Sequence, residues 1–403
     1  MVNTLLVAVL VGGVACLGYA LVLYPLVAAA GCYRAASSRP AHVLGDGDAA
    51  WSVSLIIPAH NEAQVLAAKL QNALALDYPK EQLEIVVVSD GSTDGTVEIA
   101  RRHAADGIQV LDLQPNRGKA SALNAGVAYS RGEVLCLCDA NVMFRPDALR
   151  KLVAHLADPA VGAVSGDVRL ASEESDFEAG ERTYYRLERW IQLGESRMGS
   201  MLGVDGGMYV IRRELFQPLP PDTILDDFVT SMRVIQQGKR IVYEPEAIAT
   251  ENGTPTWQQE FRRRVRVTMG AVQSIQRGMW PPLSRPIELW QYVSHKLLRW
   301  LGPLWLLMAF ASSACLWGEG WAFQAAFLTQ AGFYALAGAA WVSLRWREFR
   351  PAGVAFYFTI SHLAMAVGWW KGLVSRPTGR WERTPRTPAA VLAAEHPHPH
   401  SAR

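Results

Sequence analysis

The sequence predicts an α/β domain, a mixed and mainly parallel sheet flanked by helices, carried between transmembrane helices at both ends of the chain. Three observations predict it. From residue 53 to residue 139, short apolar runs that end in polar turns alternate with stretches of helical spacing, the order that builds right-handed crossovers and a parallel sheet with its loops on one edge. Long stretches almost without charge lie near both ends, each close to the ~20 residues that cross a bilayer. Fourteen tryptophans among 403 residues suit a protein with surfaces at a membrane interface. The formal charge of +2 argues against a nucleic-acid partner.

Residues 5–30 are apolar, with no charge before Arg34, and predict an anchor within residues 1–33. A signal peptide is the competing reading; the missing basic segment before Leu5 and the length of the run favour the anchor. Residues 34–50, with Pro40, read as a linker, and the α/β domain is expected over 51–252. Its first strand, Val53-Ser54-Leu55-Ile56-Ile57, is stopped by Pro58, and residues 62–76 carry helical spacing through Val65, Leu66, Leu70 and Ala73. Residues 83–88 are a second strand that breaks into Ser89-Asp90-Gly91-Ser92-Thr93-Asp94. Asp94 is placed to cap the following helix, residues 97–104. A strand at 108–113, a helix at 118–129 and a strand ending at Asp139 complete the alternation. Asn61, Asp90, Asp94 and Asp139 all fall at strand ends, so the fold brings them to one edge, where open α/β sheets bind ligands.

Beyond residue 150 the reading gives a strand at 161–170, a long amphipathic helix at 174–197, a glycine-broken loop and strand at 203–212, and a helix at 224–237. Asp226 and Asp227 open that last helix, where acids complement the helix dipole. Residues 257–276, inside an interfacial region at 253–293, alternate Arg262, Arg263, Arg264 and Arg266 with apolar residues, the pattern of a basic helix at a membrane surface. Apolar stretches at 297–317, 321–344 and 352–374 predict about three spans within 294–375. The tail at 376–403 reads as disordered, and His396, His398 and His400 alternate there with prolines, a weak candidate for a metal. With the α/β domain cytosolic, Glu319 falls outside and Arg345, Arg347 and Arg350 inside, as the positive-inside rule prefers. The last stretch then breaks the rule unless it is re-entrant or interfacial. Cys136 and Cys138 are expected to pack as small hydrophobes.

Asp139-Ala140-Asn141 sets two oxygen side chains two residues apart at a strand end, a spacing that suits a hard divalent cation holding a diphosphate. GxxxxGK and GxGxxG are both missing, which disfavours nucleoside triphosphatase and dinucleotide readings.

Five segments, Ile57-Pro58-Ala59-His60-Asn61-Glu62, Ser89 to Asp94, Asn116-Arg117-Gly118-Lys119, Asp139-Ala140-Asn141 and Leu225-Asp226-Asp227, stand in the order of one family. Together they resemble the family 2 glycosyltransferases, inverting enzymes of GT-A (Rossmann-like) fold, over residues 53–267. The apolar C-terminal stretches, led by Ser294 to Trp300, resemble its membrane-integrated bacterial branch. The resemblance implies that Asp90 contacts the base of a nucleotide sugar, with Pro58, Asn61, Glu62 and Ser92 lining the same pocket. Asp94 and Lys119 stand near the nucleotide. Asp139, with Asn141 in place of the second acid of a DxD motif, would hold Mg²⁺ or Mn²⁺ against the diphosphate. Asp227 matches the general base, with Asp226 the runner-up. Arg263 and Arg266 match the QxxRW element, whose glutamine is Arg263 and whose tryptophan is Val267 here, and Arg266 would contact the diphosphate.

The function expected is a multi-pass enzyme of the inner (plasma) membrane that transfers a sugar, UDP-linked by expectation, to a lipid or saccharide acceptor, with membrane lipids around it. A processive exopolysaccharide synthase and a non-catalytic nucleotide-sugar-binding subunit are the alternatives, and an oligomer or partner subunit fits either.

Overall fold

The computed structural model describes residues 2–34, 51–170, 178–251, 256–375 and Gly379. The linker after residue 34 and nearly all of the tail, including its histidines, lie outside the described residues.

The α/β domain is built on an eight-stranded mixed sheet. Its strands are β1 (Val53–Ala59), β2 (Leu83–Asp90), β3 (Ile108–Leu113), β4 (Val134–Cys138), β5 (Met143–Phe144), β6 (Val161–Leu170), β7 (Met208–Arg212) and β8 (Arg240–Glu251), in the order β3-β2-β1-β4-β7-β6-β8-β5. Four of the seven strand pairings are parallel; β7 runs antiparallel to both β4 and β6, and β5 antiparallel to β8. All seven residues of β1 are buried, as a central parallel strand with helices on both faces requires. The alternation of side chains sorts the core into two layers. Leu55, Ile57, Ile85, Val87, Cys136 and Cys138 face the helix Ala63–Leu74 through Leu66 and Leu70. Ile56, Val86, Val88, Leu135 and Leu137 face the helix Lys119–Tyr129 through Ala120 and Leu123. Gly126 brings that helix close, since a Cβ there would sit 2.6 Å from Ile56 Cγ2. The two cysteines are free thiols packed as apolar filler, as expected.

The sequence reading lacked β5 and β8. Two residues are too few to register a period, and β8 interrupts its apolar positions with Glu244, Pro245 and Glu246. Its pairing with β6 carries register irregularities between Val161 and Ala163 and between Ser165 and Asp167.

Among the described residues, three helices are long and apolar enough to cross a membrane: Val2–Gly31, Trp321–Val342 and Arg350–Val374. The stretch expected at 297–317 is different. It belongs to two helices, Pro286–Trp300 and Gly302–Cys315, bent by 59° at Leu301. Gly302 and Pro303 open the second helix, and proline's missing N–H and fixed φ suit a helix start and not its continuation. The last stretch is one unbroken helix of 25 residues. The basic helix Trp257–Gln276 lies along it, and Gly368 permits the contact, since a Cβ there would sit 2.8 Å from Val265 O.

A buried polar cluster joins the membrane segments to the domain. His295 stands between two carboxylates, its Nδ1 2.8 Å from Glu195 Oε1 and its Nε2 2.8 Å from Glu188 Oε1. Tyr24 of the first span donates to Glu195 Oε1 at 2.5 Å, and Arg299 Nη1 lies 2.9 Å from Glu188 Oε2. Burial alone would raise the Glu188 carboxyl; His295, Lys296 and Arg299 hold it well below the usual range. Glu188 and Glu195 lie on the long helix Glu178–Met198, so this cluster fixes the first span, the long helix and the bent pair to one another.

Candidate active site

Beyond the carboxyl ends of β1 and β2, two turns lock together. Asn61 adopts φ 57°, a left-handed conformation that asparagine tolerates better than most residues. Its Oδ1 accepts from Thr93 N at 2.8 Å and its own N–H donates to Ser92 Oγ at 3.1 Å. Asp94 serves two helix starts at once. Its Oδ2 accepts from Ala63 N at 3.2 Å and its Oδ1 from Thr96 N at 3.0 Å. Glu62 N donates to Thr96 Oγ1 at 2.9 Å. The expected cap is therefore present and extends to a second helix. Pro58 is a buried residue within β1.

Asp90 has no exposed surface. Its Oδ1 accepts from Arg117 N at 2.9 Å and its Oδ2 from Gly118 N at 2.7 Å. Gly91, at φ 65°, allows the close approach, for a Cβ there would lie 2.4 Å from Asn116 N. The side chain that the sequence reading gave to a nucleotide base thus holds the 116–118 turn, and through it the start of the Lys119–Tyr129 helix.

Lys119 is the centre of the second half of the site. Its Nζ is 2.8 Å from Asp139 Oδ1, at the end of β4, and 3.2 Å from Asp226 Oδ2, in the first turn of the helix Asp226–Gln236. Burial would lower the ammonium's pKa, but Asp139, Asp226 and Asp227 raise it, so it stays charged. The carboxyl of Asp227 is pushed up to about 7 by burial and then by Asp226, against the opposing pull of Lys119 and the Phe228 N–H. That N–H donates to Asp227 Oδ1 at 2.7 Å. Gly206 leaves room for the other oxygen, since a Cβ there would stand 3.0 Å from Asp227 Oδ2.

Asp205, beside that glycine, lies in the segment 203–208 on which the sequence makes acceptor choice depend, with no role of its own assigned there. Its N–H donates to Ser165 Oγ and its Oδ1 accepts from Gly207 N, both at 2.9 Å. Burial, then Glu251, with Asp139 and Asp167 adding less, raises it to about 7. An aspartate set between glycines just before a strand was the available signal.

Asn141 tests the expected cation. It is 7% exposed, and its Oδ1 is buried without a hydrogen-bond partner, an arrangement that costs stability unless a ligand supplies the partner. Among the described residues no three His, Cys, Asp or Glu side chains gather closely enough to hold a metal. The orphaned Asn141 Oδ1, two residues from Asp139, is the one oxygen here that a divalent cation held with a diphosphate and water would satisfy.

Arg263 and Arg266 lie on the Trp257–Gln276 helix. Arg263 pairs with Glu260 through two contacts of 2.7 and 2.9 Å, Arg264 also binds Glu260 and donates to Tyr357 Oη, and Arg266 is exposed. The same helix grips the turn ahead of the aspartate pair. Gln273 Oε1 accepts from Ile224 N at 3.1 Å and its Nε2 donates to Asp222 O at 2.8 Å. Gly270 packs on Leu225, where a Cβ would stand 2.5 Å from Leu225 Cγ.

A mixed eight-stranded sheet flanked by helices, with acids gathered at its strand ends and membrane helices at both ends, defines a GT-A-like fold. Residues 54–219 match the family described as Glycosyl transferase family 2. The chain is 32% identical over 232 residues to the "Probable glycosyltransferase YdaM" of Bacillus subtilis, covering 54% of each chain. It is 26% identical over 237 residues to the "Poly-beta-1,6-N-acetyl-D-glucosamine synthase" of Staphylococcus epidermidis, covering 57% of each. The chain thus spans about half the length of the curated relatives it matches. Among solved structures, the "Mannosyltransferase PcManGT from Pyrobaculum calidifontis in complex with GDP-Man and Mn2+" is 25% identical, covers 93% of this chain and 99% of its own, and superposes with a TM-score of 0.67.

Proposed function

We propose that the protein is a membrane-bound inverting glycosyltransferase that moves one sugar from a nucleoside diphosphate donor to an acceptor hydroxyl at the cytosolic face of the membrane. The observation that carries this reading is Asp227, a half-buried carboxylate at a helix start, set beside the Lys119–Asp139 pair at the sheet edge. In this mechanism the acceptor's O–H gives its proton to Asp227 while its oxygen attacks the anomeric carbon from the face opposite the diphosphate. The bond from that carbon to the phosphate oxygen breaks, and the nucleoside diphosphate leaves. Lys119 offsets diphosphate charge, and Arg266, exposed on the helix 257–276, is the arginine that the QxxRW resemblance gives to the diphosphate. Asp139 and Asn141 would hold Mg²⁺ or Mn²⁺, which stabilises charge on the departing phosphate.

Base function requires Asp227 ionised. A carboxylate raised to about 7 is protonated and inactive below that pH and active above it. Uridine is the base expected from the sequence; the mannosyltransferase that resembles almost the whole chain was solved with GDP-Man, which makes guanosine the second arm of any donor panel. The test is a panel of UDP- and GDP-sugars with Mg²⁺ or Mn²⁺ and native lipid extract, the product read by mass. One added sugar supports single transfer. A ladder of products overturns it in favour of a processive synthase, and donor binding without turnover leaves only a binding subunit.

A further inference from the structure

The first span supplies a scale of depth. Its Tyr24 and Gly31 meet the long helix Glu178–Met198 of the α/β domain, at Glu195 and Met198, whereas Asn3 Nδ2, at the opposite end, donates to Glu319 Oε1 at 2.8 Å. Between these ends the helix Gly302–Cys315 leads away from the domain. Arg299 Nε donates to Ala20 O at 3.4 Å, a Cβ on Gly13 would stand 3.1 Å from Trp305 O, and Leu10 packs with Ala309 and Leu316. The helix Trp321–Val342 returns along it, the Phe327 and Phe310 rings 4.9 Å apart and Gln330 Nε2 donating to Leu306 O at 3.0 Å. It ends beside the basic helix, with the Trp341 and Trp257 rings 5.5 Å apart.

The last helix, Arg350–Val374, takes another path. Its 25 residues span about 37 Å, enough to reach the far end. Instead the Phe356 ring lies 6.0 Å from Trp257 and the Phe358 ring 5.5 Å from Phe333. His362 Nε2 is 2.9 Å from where a Gly302 Cβ would be, and Trp369 Nε1 donates to Trp300 O at 2.7 Å. Seven residues of advance along this helix therefore move its partner only from Gly302 to Trp300, so it runs sideways across the near end of the bundle. The helix Trp257–Gln276 keeps step with it, from Trp257 beside Phe356 to Val272, whose Cβ would be 2.8 Å from a Cβ on Gly372. Glu260 pairs with Arg263 and Arg264 of this companion, but Arg262 and Arg266 are exposed. At the bilayer centre each exposed arginine would cost about 2.5–3.5 kcal/mol on the mildest scales. Leu363, Trp370, Leu373 and Val374 share one exposed face of the last helix. Just past its end Gly379 meets the domain, where a Cβ would sit 2.5 Å from Pro221 O.

We infer that the helix Arg350–Val374 does not cross, and that it lies in the headgroup–acyl boundary of the leaflet next to the α/β domain with its Leu363–Val374 face in lipid. Among the described residues the crossings are then the first span, the bent pair and Trp321–Val342. Arg345, Arg347, Arg350 and Lys371 all stand on one side, which removes the breach of the positive-inside rule that a crossing creates. The chain resumes at Gly379 on the side of the candidate site, against the turn ahead of Asp226. This placement is independent of the transferase reading, and the failure of either leaves the other in place.

The test uses the full chain with Cys16→Ala, Cys32→Ala and Cys315→Ala, the buried Cys136 and Cys138 being kept. In nanodiscs, a nitroxide label is set singly at Leu363→Cys, Trp370→Cys and Val374→Cys, and depth is read from collisions with oxygen and with a nickel chelate. The three are expected within about 5 Å of one depth, ~5–10 Å below the headgroups, with Leu328→Cys on the Trp321–Val342 helix deeper. From Leu363 to Val374 a helix rises about 16 Å, so a crossing or re-entrant helix changes depth steadily along these sites, and that profile overturns the inference. In spheroplasts, an impermeant maleimide is expected to treat Ser375→Cys as it treats Gln82→Cys on the domain, and opposite to Gly318→Cys. Ser375→Cys labelled like Gly318→Cys overturns it as well. Thermal unfolding checks each variant, and Leu373→Cys replaces Trp370→Cys if the latter unfolds.

Discussion

The two halves of the candidate site solve opposite problems with the same residue type. In the turns after β1 and β2, Asp90 and Asp94 spend their carboxylate oxygens on backbone N–H groups at 2.7–3.2 Å. Around Lys119 the carboxylates of Asp139, Asp226 and Asp227 crowd one another, and an amide oxygen at Asn141 has no partner. In the first half these oxygens hold backbone turns in place. The second keeps more acids than its one ammonium neutralises and an acceptor without a partner, which a further cation or a proton donor would satisfy. An acidic motif is therefore not a functional site by composition; what its oxygens touch decides its work.

The sharpest way to break this contrast is Asp227→Asn. Transfer is expected to fall about a hundred- to ten-thousand-fold, the usual contribution of a general base, with donor affinity retained in a nucleotide titration. Undiminished turnover would move the base elsewhere.

Asp90→Ala acts on the other half. It strands the buried Gly118 N–H and frees the part-buried Arg117 N–H, at a cost of about 1–3 kcal/mol, and thermal unfolding should register the loss. A fall in donor affinity at unchanged stability would return Asp90 to the ligand and erase the distinction.

Lys119→Met is expected to raise donor KM about tenfold, ~1.4 kcal/mol. Lys119 lowers the Asp227 pKa, so its loss must also move the acid limb of the kcat/KM profile to higher pH from its position near 7. A limb that stays in place would show that Asp227 is not the group titrating.

The smallest effect belongs to Asp94→Ala. It removes a cap shared by two helices and is expected to cost about 1 kcal/mol, with kcat preserved in a steady-state assay.

Much of this was legible in the sequence because β1 to β4 are short, apolar and stopped by polar turns, and because their ends carry the acids that the fold gathers. The direction in which Asp90 points was not legible. Its carboxylate could turn outward or back, and the outcome depends on the Arg117 and Gly118 amides, 27 and 28 residues away in the chain. β8 was hidden by Glu244, Pro245 and Glu246, and the antiparallel β7 by a local pattern that says nothing of strand direction. The break at Leu301 was hidden for another reason. Hydropathy counts apolar residues, and Gly302 and Pro303 change the path of a helix without changing that count.

One contact bears on how such an enzyme can be divided. Gln273 brackets the 222–224 turn from both sides and Gly270 admits Leu225, so the residues just before the aspartate pair take their position from the helix at the membrane. A fragment ending at the sheet keeps the turns after β1 and β2 but loses the clamp on the residues just before Asp226 and Asp227. Grafting the domain onto a foreign anchor would lose the same clamp, because it belongs to the helix 257–276.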